Sequence, residues 1–337
     1  MRSKGLMAAA VGVGLLLTGC EKAPHTKAIR EAVSTDPLPS WNEGPTKKAI
    51  IDFVSQVTKE GGPNFVPEGD RIATFDNDGT LWVEQPNYTE AIFTLERVQQ
   101  MAPDHPEWKT KQPFAAVLNH DAKAMAASGE KGLMQLLVVT HTGMTTEDFG
   151  KTVTAWIGVA QHPRFKRPYT QCIYQPMVEV LKYMRSNGFK TFIVSGGEQE
   201  FMRPWTDKTY GIPREQVVGS QIKTEFKEGM LMRLPQVDSI DDGPGKPVNI
   251  GRFIGKRPIA AFGNSDGDQQ MLEYAAAGPG ARLAVLVHHT DADREYAYDR
   301  ESKIGRLAKA LDEAKAKQWV VIDMKADWKN VFPAVAP

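Results

Sequence analysis

The chain has almost no cysteine. Cys20 and Cys172 are the only two in 337 residues, which excludes a disulfide scaffold and leaves no intramolecular bridge once Cys20 is modified. It also lacks net charge, with 41 Lys and Arg set against 41 Asp and Glu. That balance removes the electrostatic footprint of a polyanion-binding surface, and nucleic acid is not an expected partner. No apolar run reaches the roughly 20 residues that a membrane-spanning helix needs; the longest, Leu6 to Leu17, falls short. Internal repeats and low-complexity blocks are missing too. What remains is a globular composition, 41% hydrophobic and 24% charged, in a chain long enough for one large domain or two smaller ones.

The N-terminal stretch carries its own message. Arg2 and Lys4 give a basic start, Leu6 to Leu17 is apolar, and Leu17-Thr18-Gly19-Cys20 follows. This is the pattern of a secretory signal, and the last four residues resemble the lipobox of bacterial lipoproteins. The resemblance implies a signal peptide over 1–19, a lipidated Cys20 at the mature N-terminus, and membrane attachment through that residue only. Glu21, rather than Asp, follows the cysteine, which by the same resemblance implies a periplasmic lipoprotein anchored to the outer membrane of the cell envelope. Residues 20–44 are polar, contain Pro24, Pro37 and Pro39, and read as a flexible tether. Cys172 reads as a buried, inert thiol.

Beyond the tether, Ile50, Phe53, Val54 and Val57 predict a helix from about Thr46 to Glu60, stopped by Gly61-Gly62-Pro63. Three later segments are short apolar runs that stop at acidic, hydroxyl or glycine residues: Ile72 to Thr80, Phe192 to Gly197 and Ile259 to Asp268. The stretch between the first two far exceeds an ordinary crossover. Apolar residues at helical spacing fill it, among them Ile92, Leu95, Val98, Leu133, Leu136, Val153 and Trp156. Residues 83–170 are therefore expected to form an inserted helical cap, with 45–82 and 171–337 as the core. A helix over Gln175 to Ser186, a strand over Lys190 to Val194 and a helix from Ser195 to about Tyr210 come next. A hairpin over Val217–Phe226 and Met230–Leu234 follows, then strands at Ile259–Phe262, Leu283–Val287 and Val320–Met324. This alternation predicts an α/β fold with a doubly wound, mostly parallel, Rossmann-like sheet and an inserted helical cap.

In such a sheet, ligands bind at the carboxyl ends of the strands, so the three tails converge on one crevice. Asp76 and Asp78 end the first. A carboxylate can attack phosphorus and form an aspartyl-phosphate if the clustered negative charge is offset, and magnesium does this with one or two carboxylates plus phosphate and water. Asp78 is placed to protonate the leaving oxygen and later to activate water. Gly79 permits the tight turn, and Thr80 can bond within the loop. The Ser195 hydroxyl and the Gly196 and Gly197 amides are expected at a helix start, where they would hold an anion; a serine there would also cap the helix.

Asp76-Asn77-Asp78-Gly79-Thr80 resembles the first motif of the haloacid dehalogenase superfamily of phosphohydrolases. Ser195 after an apolar strand matches its second motif, Lys246 in Gly245-Lys246-Pro247 its third, and Gly263-Asn264-Ser265-Asp266-Gly267-Asp268 its fourth. The Ser-Gly-Gly, the hairpin before Gly243 and the early insertion are most similar to the phosphoserine-phosphatase-like branch. The resemblance implies catalytic roles for Asp76, Asp78, Ser195 and Lys246. It also implies a Mg2+ held by Asp76, Asp78, Asn264 and Asp268, and a small phosphorylated substrate. The fourth motif departs from the commoner form, because Asn264 replaces the first aspartate and Asp266 is an additional acid. Either Asn264 binds the metal as a neutral oxygen donor, or Asp266 or Asp268 does so directly or through water.

Glu84 and Arg203, with Gly196 and Gly197, are candidate substrate contacts; each charge could equally sit in solvent or in a structural ion pair. Trp82 lines the pocket mouth or packs under the cap. His288-His289-x-Asp291-x-Asp293-Arg294 suggests metal by composition, but its spacing fits no zinc site, and a structural network competes with a catalytic role. The resulting expectation is a phosphoric monoester hydrolase. Its rivals are other chemistry of the same superfamily (dehalogenase, phosphonatase or phosphomutase) and a non-catalytic envelope-binding lipoprotein. Asp78 argues against the dehalogenase, which has no alkoxide to protonate, and the full set of Asp76, Asp78, Ser195 and Lys246 argues against an inactive chain.

Overall fold

The computed structural model describes residues 36–334, so the expected signal peptide, Cys20 and most of the tether lie outside the described residues. β1 (Ile72–Phe75) is buried along its whole length, as expected of a short apolar strand covered on both faces. Parallel partners flank it, β2 (Lys190–Glu198) on one side and β5 (Ala260–Gly263) on the other. Beyond β2 lies β3 (Val217–Lys227), which pairs antiparallel with β4 (Met230–Ser239). Beyond β5 lies β6 (Leu283–Thr290), which pairs with the short antiparallel β7 (Ala297–Tyr298) and with parallel β8 (Val320–Asp323). The path therefore runs β4-β3-β2-β1-β5-β6-β7, with β8 on β6. The chain winds outward from β1 in one direction through β2 and β3, then in the other through β5 and β6, which puts the topological switch point at β1.

Register carries the consequence. Phe75 lies opposite Ile193 on β2 and Phe262 on β5, so Asp76, Ser195 and Asn264 stand side by side at the same end of the parallel strands. The Phe75 and Phe262 rings stack at 4.4 Å beneath that end. The β3–β4 turn has positive φ at both Glu228 and Gly229, the conformation of a two-residue hairpin turn whose twist matches the strands.

The segment between β1 and β2 is helical. After α1 (Pro45–Thr58), which precedes β1, come α2 (Thr89–Met101), α3 (Phe114–Leu118), α4 (Ala122–His141) and α5 (Thr146–Ile157). α4 is interrupted at Gly129 (φ 59°). Val98, Trp108, Phe114, Val117 and Leu136 form a small core of this insertion, while Phe93, Phe149, Val153 and Trp156 join the main core. Leu133, although at helical spacing, is exposed. The insertion is stitched to the hairpin: Gly143 N–H donates to the Arg233 carbonyl and Arg233 N–H to the Met144 carbonyl, at 3.0 and 2.9 Å.

Three expectations need correction. The stretch before Gly44 is not all tether, because Leu38 and Trp41 are core residues and Trp41 packs edge-on against Trp328. After α6 (Gln175–Ser186), β2 runs on through Ser195 to Glu198, so the next helix starts at Gln199 and not at Ser195. That helix is also split into α7 (Gln199–Met202) and α8 (Thr206–Tyr210), with Pro204, which cannot donate to a helical ladder, at the break.

Candidate active site

Asp76 leaves β1 with its N–H bound to the Phe262 carbonyl at 2.9 Å, which ties the candidate nucleophile to β5. Its Oδ1 accepts from Lys246 Nζ at 2.6 Å. The same ammonium donates to Asp268 Oδ1 at 2.7 Å and to the Val194 carbonyl at 2.8 Å. Lys246 stands on a short helix, α9 (Gly245–Asn249), and is 1% exposed. All three of its donors are therefore used, as a buried ammonium requires. The carboxylates of Asp268, Asp76 and Asp241 hold the Lys246 pKa above its ordinary value against the opposing effect of burial. Burial and the Asp268 charge push the Asp76 carboxyl up, against the pull of Lys246.

Asp78 Oδ1 accepts from Trp82 Nε1 at 2.8 Å. Burial first, and the Glu90 carboxylate after it, raise its pKa to about 6, opposed by the Trp82 bond. Trp82 is fully buried and stacks on Trp205 at 4.4 Å, so of its two expected places it takes the packed one, with a bond to Asp78 added. The second strand end meets the first here. A Cβ at Gly197 would lie 3.7 Å from Asp78 Oδ2, 3.7 Å from Ser195 Oγ and 3.2 Å from Glu90 Oε2. Ser195 Oγ accepts the Gly197 N–H at 3.3 Å, within an irregularity of the β2–β3 pairing that spans Ser195 to Glu198. The Gly196 and Gly197 amides thus sit in a strand bulge and not at a helix N-terminus. Glu198 is the capping residue of α7 and accepts from Phe201 N–H.

The third strand end folds back on itself. Asp268 Oδ2 accepts the N–H groups of Asn264 and Ser265 at 2.9 and 3.0 Å and the Ser265 hydroxyl at 3.2 Å. Asn264 is gripped from both sides: its Oδ1 accepts from Thr80 Oγ1 at 3.1 Å, and its Nδ2 donates to Glu84 Oε1 at 2.6 Å. Tyr298 OH also donates to Glu84 Oε1, at 2.8 Å. Burial raises the Glu84 pKa well above its usual range, with the Tyr298 bond opposing. Asp266 turns away, and its Oδ1 accepts from Ala308 and Ala310 N–H at the start of the helix Lys309–Ala316. This leaves Asn264 and Asp268 as the loop residues nearest the crevice.

Two weaker candidates lie elsewhere. The Arg203 guanidinium binds Glu200 Oε1 at 2.5 Å and the Arg214 and Val217 carbonyls, the structural ion pair that was the alternative to a substrate contact. Asp291 binds Arg294, whose guanidinium also reaches the Trp328 and Lys329 carbonyls, while His288 faces Asp299 at 3.4 Å. Among the described residues no group of three His, Cys, Asp or Glu is preassembled around a metal position, and in the His288–Arg294 stretch His288, Asp291 and Arg294 sit in a structural network of ion pairs and backbone contacts. Cys172 is buried and its thiol is pushed up to about 12 by burial, as expected of an inert cysteine.

Sequence reasoning missed several neighbours. Glu90, His141 and Arg233 form a buried chain to Glu198, with His141 Nε2 3.3 Å from Glu90 and Arg233 NH2 3.1 Å from Glu198. The Glu198 N–H donates to Glu90 Oε2 at 2.8 Å. These residues come from α2, α4, β4 and the end of β2, and no local pattern announces such a meeting. Asp241 is different. It accepts from Asn249 Nδ2 at 3.0 Å, and burial raises its pKa to about 6 against the pull of Lys246; the acidic pair Asp241-Asp242 just before the Lys246 turn was a visible signal.

Comparison with known proteins agrees with this arrangement. A family model for haloacid dehalogenase-like hydrolases matches residues 73–273, from β1 through the acidic loop. The chain belongs to that family. No curated protein sequence matches the chain. A solved structure of a conserved, functionally unknown protein from Anaerococcus prevotii is similar, with a TM-score of 0.56 at 15% identity, covering 88% of this chain and 97% of that one. A protein of unknown function from Bordetella pertussis matches with a TM-score of 0.48 at 14% identity, over 75% and 98% of the two chains. A phosphoserine phosphohydrolase-like protein from Francisella tularensis matches with a TM-score of 0.38 at 16% identity, over 73% and 99%. At 15% identity the likeness to the Anaerococcus prevotii protein speaks to fold alone.

Proposed function

We propose that the chain is a magnesium-dependent phosphatase that hydrolyses small phosphomonoesters through an aspartyl-phosphate on Asp76. The observation that carries this reading is the meeting of Asp76, Lys246 and Asp268 at one end of the sheet, with Asp78 two residues along the same loop. Lys246 grips Asp76 Oδ1, and among the described residues no hydrogen bond to Oδ2 is seen, so Oδ2 is the oxygen that attacks phosphorus. The phosphorus–ester bond breaks as the new bond to Asp76 forms, and Asp78 delivers its proton to the departing alkoxide. Asp78 then takes a proton from water, whose oxygen attacks the same phosphorus and releases phosphate, restoring Asp76. Lys246 stays beside the phosphoryl oxygens as a fixed positive charge, and Ser195 with the Gly197 backbone lies where it can touch them.

The charge balance favours a hard cation. Asp76 and Asp268 share the single Lys246 ammonium, and burial with repulsion from neighbouring carboxylates pushes the Asp76 and Asp78 carboxyls up. That surplus of negative charge is what a divalent ion offsets, and magnesium commonly takes few protein oxygens. Asp76, the Asp78 backbone carbonyl, Asn264 and Asp268 are the residues proposed to hold it, with residues 83–170 as the cap that selects the leaving group. Bound magnesium would supply charge neutralisation for the phosphoryl group. The proposed place of action is the periplasmic face of the outer membrane, through a lipidated Cys20. This rests on residues 17–21, which lie outside the described residues, and mass spectrometry of the mature N-terminus tests it.

A panel of small phosphomonoesters, assayed for phosphate release with magnesium and with chelator, tests the activity. Turnover is expected only with the metal and is expected to vanish in Asp76→Asn, since an amide is not a nucleophile. A folded Asp76→Asn protein with substantial turnover would refute the mechanism.

A further inference from the structure

His289 is used by nothing described so far, yet it touches the loop that bears Asp76 and Asp78. It lies near the end of β6, is 2% exposed, and its Nε2 stands 2.8 Å from the Gly79 carbonyl oxygen. That oxygen can only accept, so Nε2 carries the hydrogen of this bond. Nδ1 faces Glu295 Oε2 at 3.2 Å. Glu295 is fully buried and is itself held, its Oε1 accepting from Tyr174 OH at 3.3 Å and its Oε2 from the Tyr296 N–H at 2.6 Å. The imidazole also stacks on the Tyr298 ring at 4.4 Å. A carboxylate, an imidazole and a loop carbonyl thus form one line.

A buried histidine with two partners is by itself a packing feature; what distinguishes this one is the peptide it grips. Gly79 directly follows Asp78 and has φ +78°. A Cβ there would lie 2.1 Å from Asn264 Nδ2 and 2.4 Å from Glu84 Oε1, so only glycine fits. Glycine brings rotational freedom that no side chain restrains, at the joint that aims Asp78. The Thr80 N–H, on the far edge of the same peptide, donates to the Asn77 carbonyl at 3.2 Å. With His289 on the oxygen and Asn77 on the nitrogen, that peptide plane is pinned along both edges.

We propose that His289, oriented by Glu295, is a positioning residue that locks the Gly79–Thr80 peptide and so aims Asp78 at the leaving-group oxygen. The inference deepens the phosphatase reading and rests on it. It makes a specific demand: loss of the lock should matter most where protonation of the leaving group matters most. The experiment compares kcat/KM for p-nitrophenyl phosphate, whose aryl oxide departs without a proton, with that for glycerol 2-phosphate, whose alkoxide needs one. His289→Phe keeps the ring and its stacking but removes the donor. It is expected to lower kcat/KM for the alkyl ester at least tenfold more than for the aryl ester. His289→Gln keeps a donor and is expected to restore most of the alkyl activity. Should His289→Phe fail to fold, Glu295→Gln, which loosens the imidazole without removing it, is expected to show a smaller loss with the same leaving-group bias. Equal losses on both esters, or none, in the folded variants would overturn the positioning role while leaving the phosphatase reading in place. A wild-type protein that hydrolyses neither ester with magnesium would overturn both.

Discussion

At the scale of single residues, the site is organised by charges that cannot be moved one at a time. Lys246 is buried between Asp76 and Asp268, and removing one member of such a group strands the others in a poorly solvated place. Lys246→Met should therefore destabilise the protein by roughly 3–5 kcal/mol, read as a lower denaturation midpoint at unchanged urea m-value, and Asp268→Asn in the same chain should recover part of it. A Lys246→Met protein as stable as wild type would mean that the ammonium does not carry that load. The Asn264–Glu84 pair gives a second test. Their polar atoms lie 2.6 Å apart, so Asn264→Asp, the residue commoner in the family, would set two buried carboxylates against each other. The single variant is expected to be less stable than wild type, and Glu84→Gln is expected to rescue it beyond additivity. An additive double-mutant cycle would show the two side chains to be independent.

At the scale of elements, what was legible followed from local rules. The strand over Ile72–Phe75 and the helix Gln175–Ser186 stand where apolar periodicity put them, and Glu228-Gly229 makes the hairpin turn that its composition announces. Asp76 and the acidic loop were readable because short strand ends were bound to share one sheet edge, whereas Lys246, on a helix, was singled out only by its match to a family motif. What was not readable depends on long-range pairing. β2 continues through Ser195-Gly196-Gly197 because β3 lies beside it, and glycine propensity alone argues against that. Nor does any spacing reveal that Glu198 will meet Arg233 and Glu90. This buried chain carries a pH dependence. Burial raises the Glu198 pKa from 4.5 to about 7, only partly offset by Arg233. Between those values the folded state holds a proton that the unfolded state has released, so stability falls as pH rises through the window. The slope is at most about 1.4 kcal/mol per pH unit for one such group, and Asp78 and Asp241, both raised to about 6, act in the same direction from lower pH. In chelator, thermal unfolding from pH 4.5 to 7 is expected to show wild type losing stability with a steeper slope than Glu198→Gln. Identical slopes would remove Glu198 from the account.

At the scale of the whole molecule, the N-terminal boundary follows from packing. Sequence composition places the polar tether as far as Gly44, because prolines and the lack of periodicity hide two anchoring residues. Leu38 is fully buried and Trp41 is 1% exposed; Trp41 Nε1 donates to the Pro176 carbonyl at 3.1 Å, and the Ser40 N–H donates to Glu179 Oε2 at 2.9 Å. Lys47, itself buried, binds Asp36 Oδ2 at 2.6 Å. The strap thus crosses α6 and closes the core next to Trp328, far in sequence from everything it touches. Deleting a large buried aromatic commonly costs 3–5 kcal/mol. Relative to a chain beginning at Asp36, one beginning at Ser40 should therefore lose part of the stability with Leu38, and one beginning at Pro45 should lose at least about 3 kcal/mol. Urea denaturation of the three chains decides the matter. If the chain beginning at Pro45 matched the one beginning at Asp36, the strap would be decoration on the fold. The boundary of the catalytic body would then return to Gly44, where composition alone had drawn it.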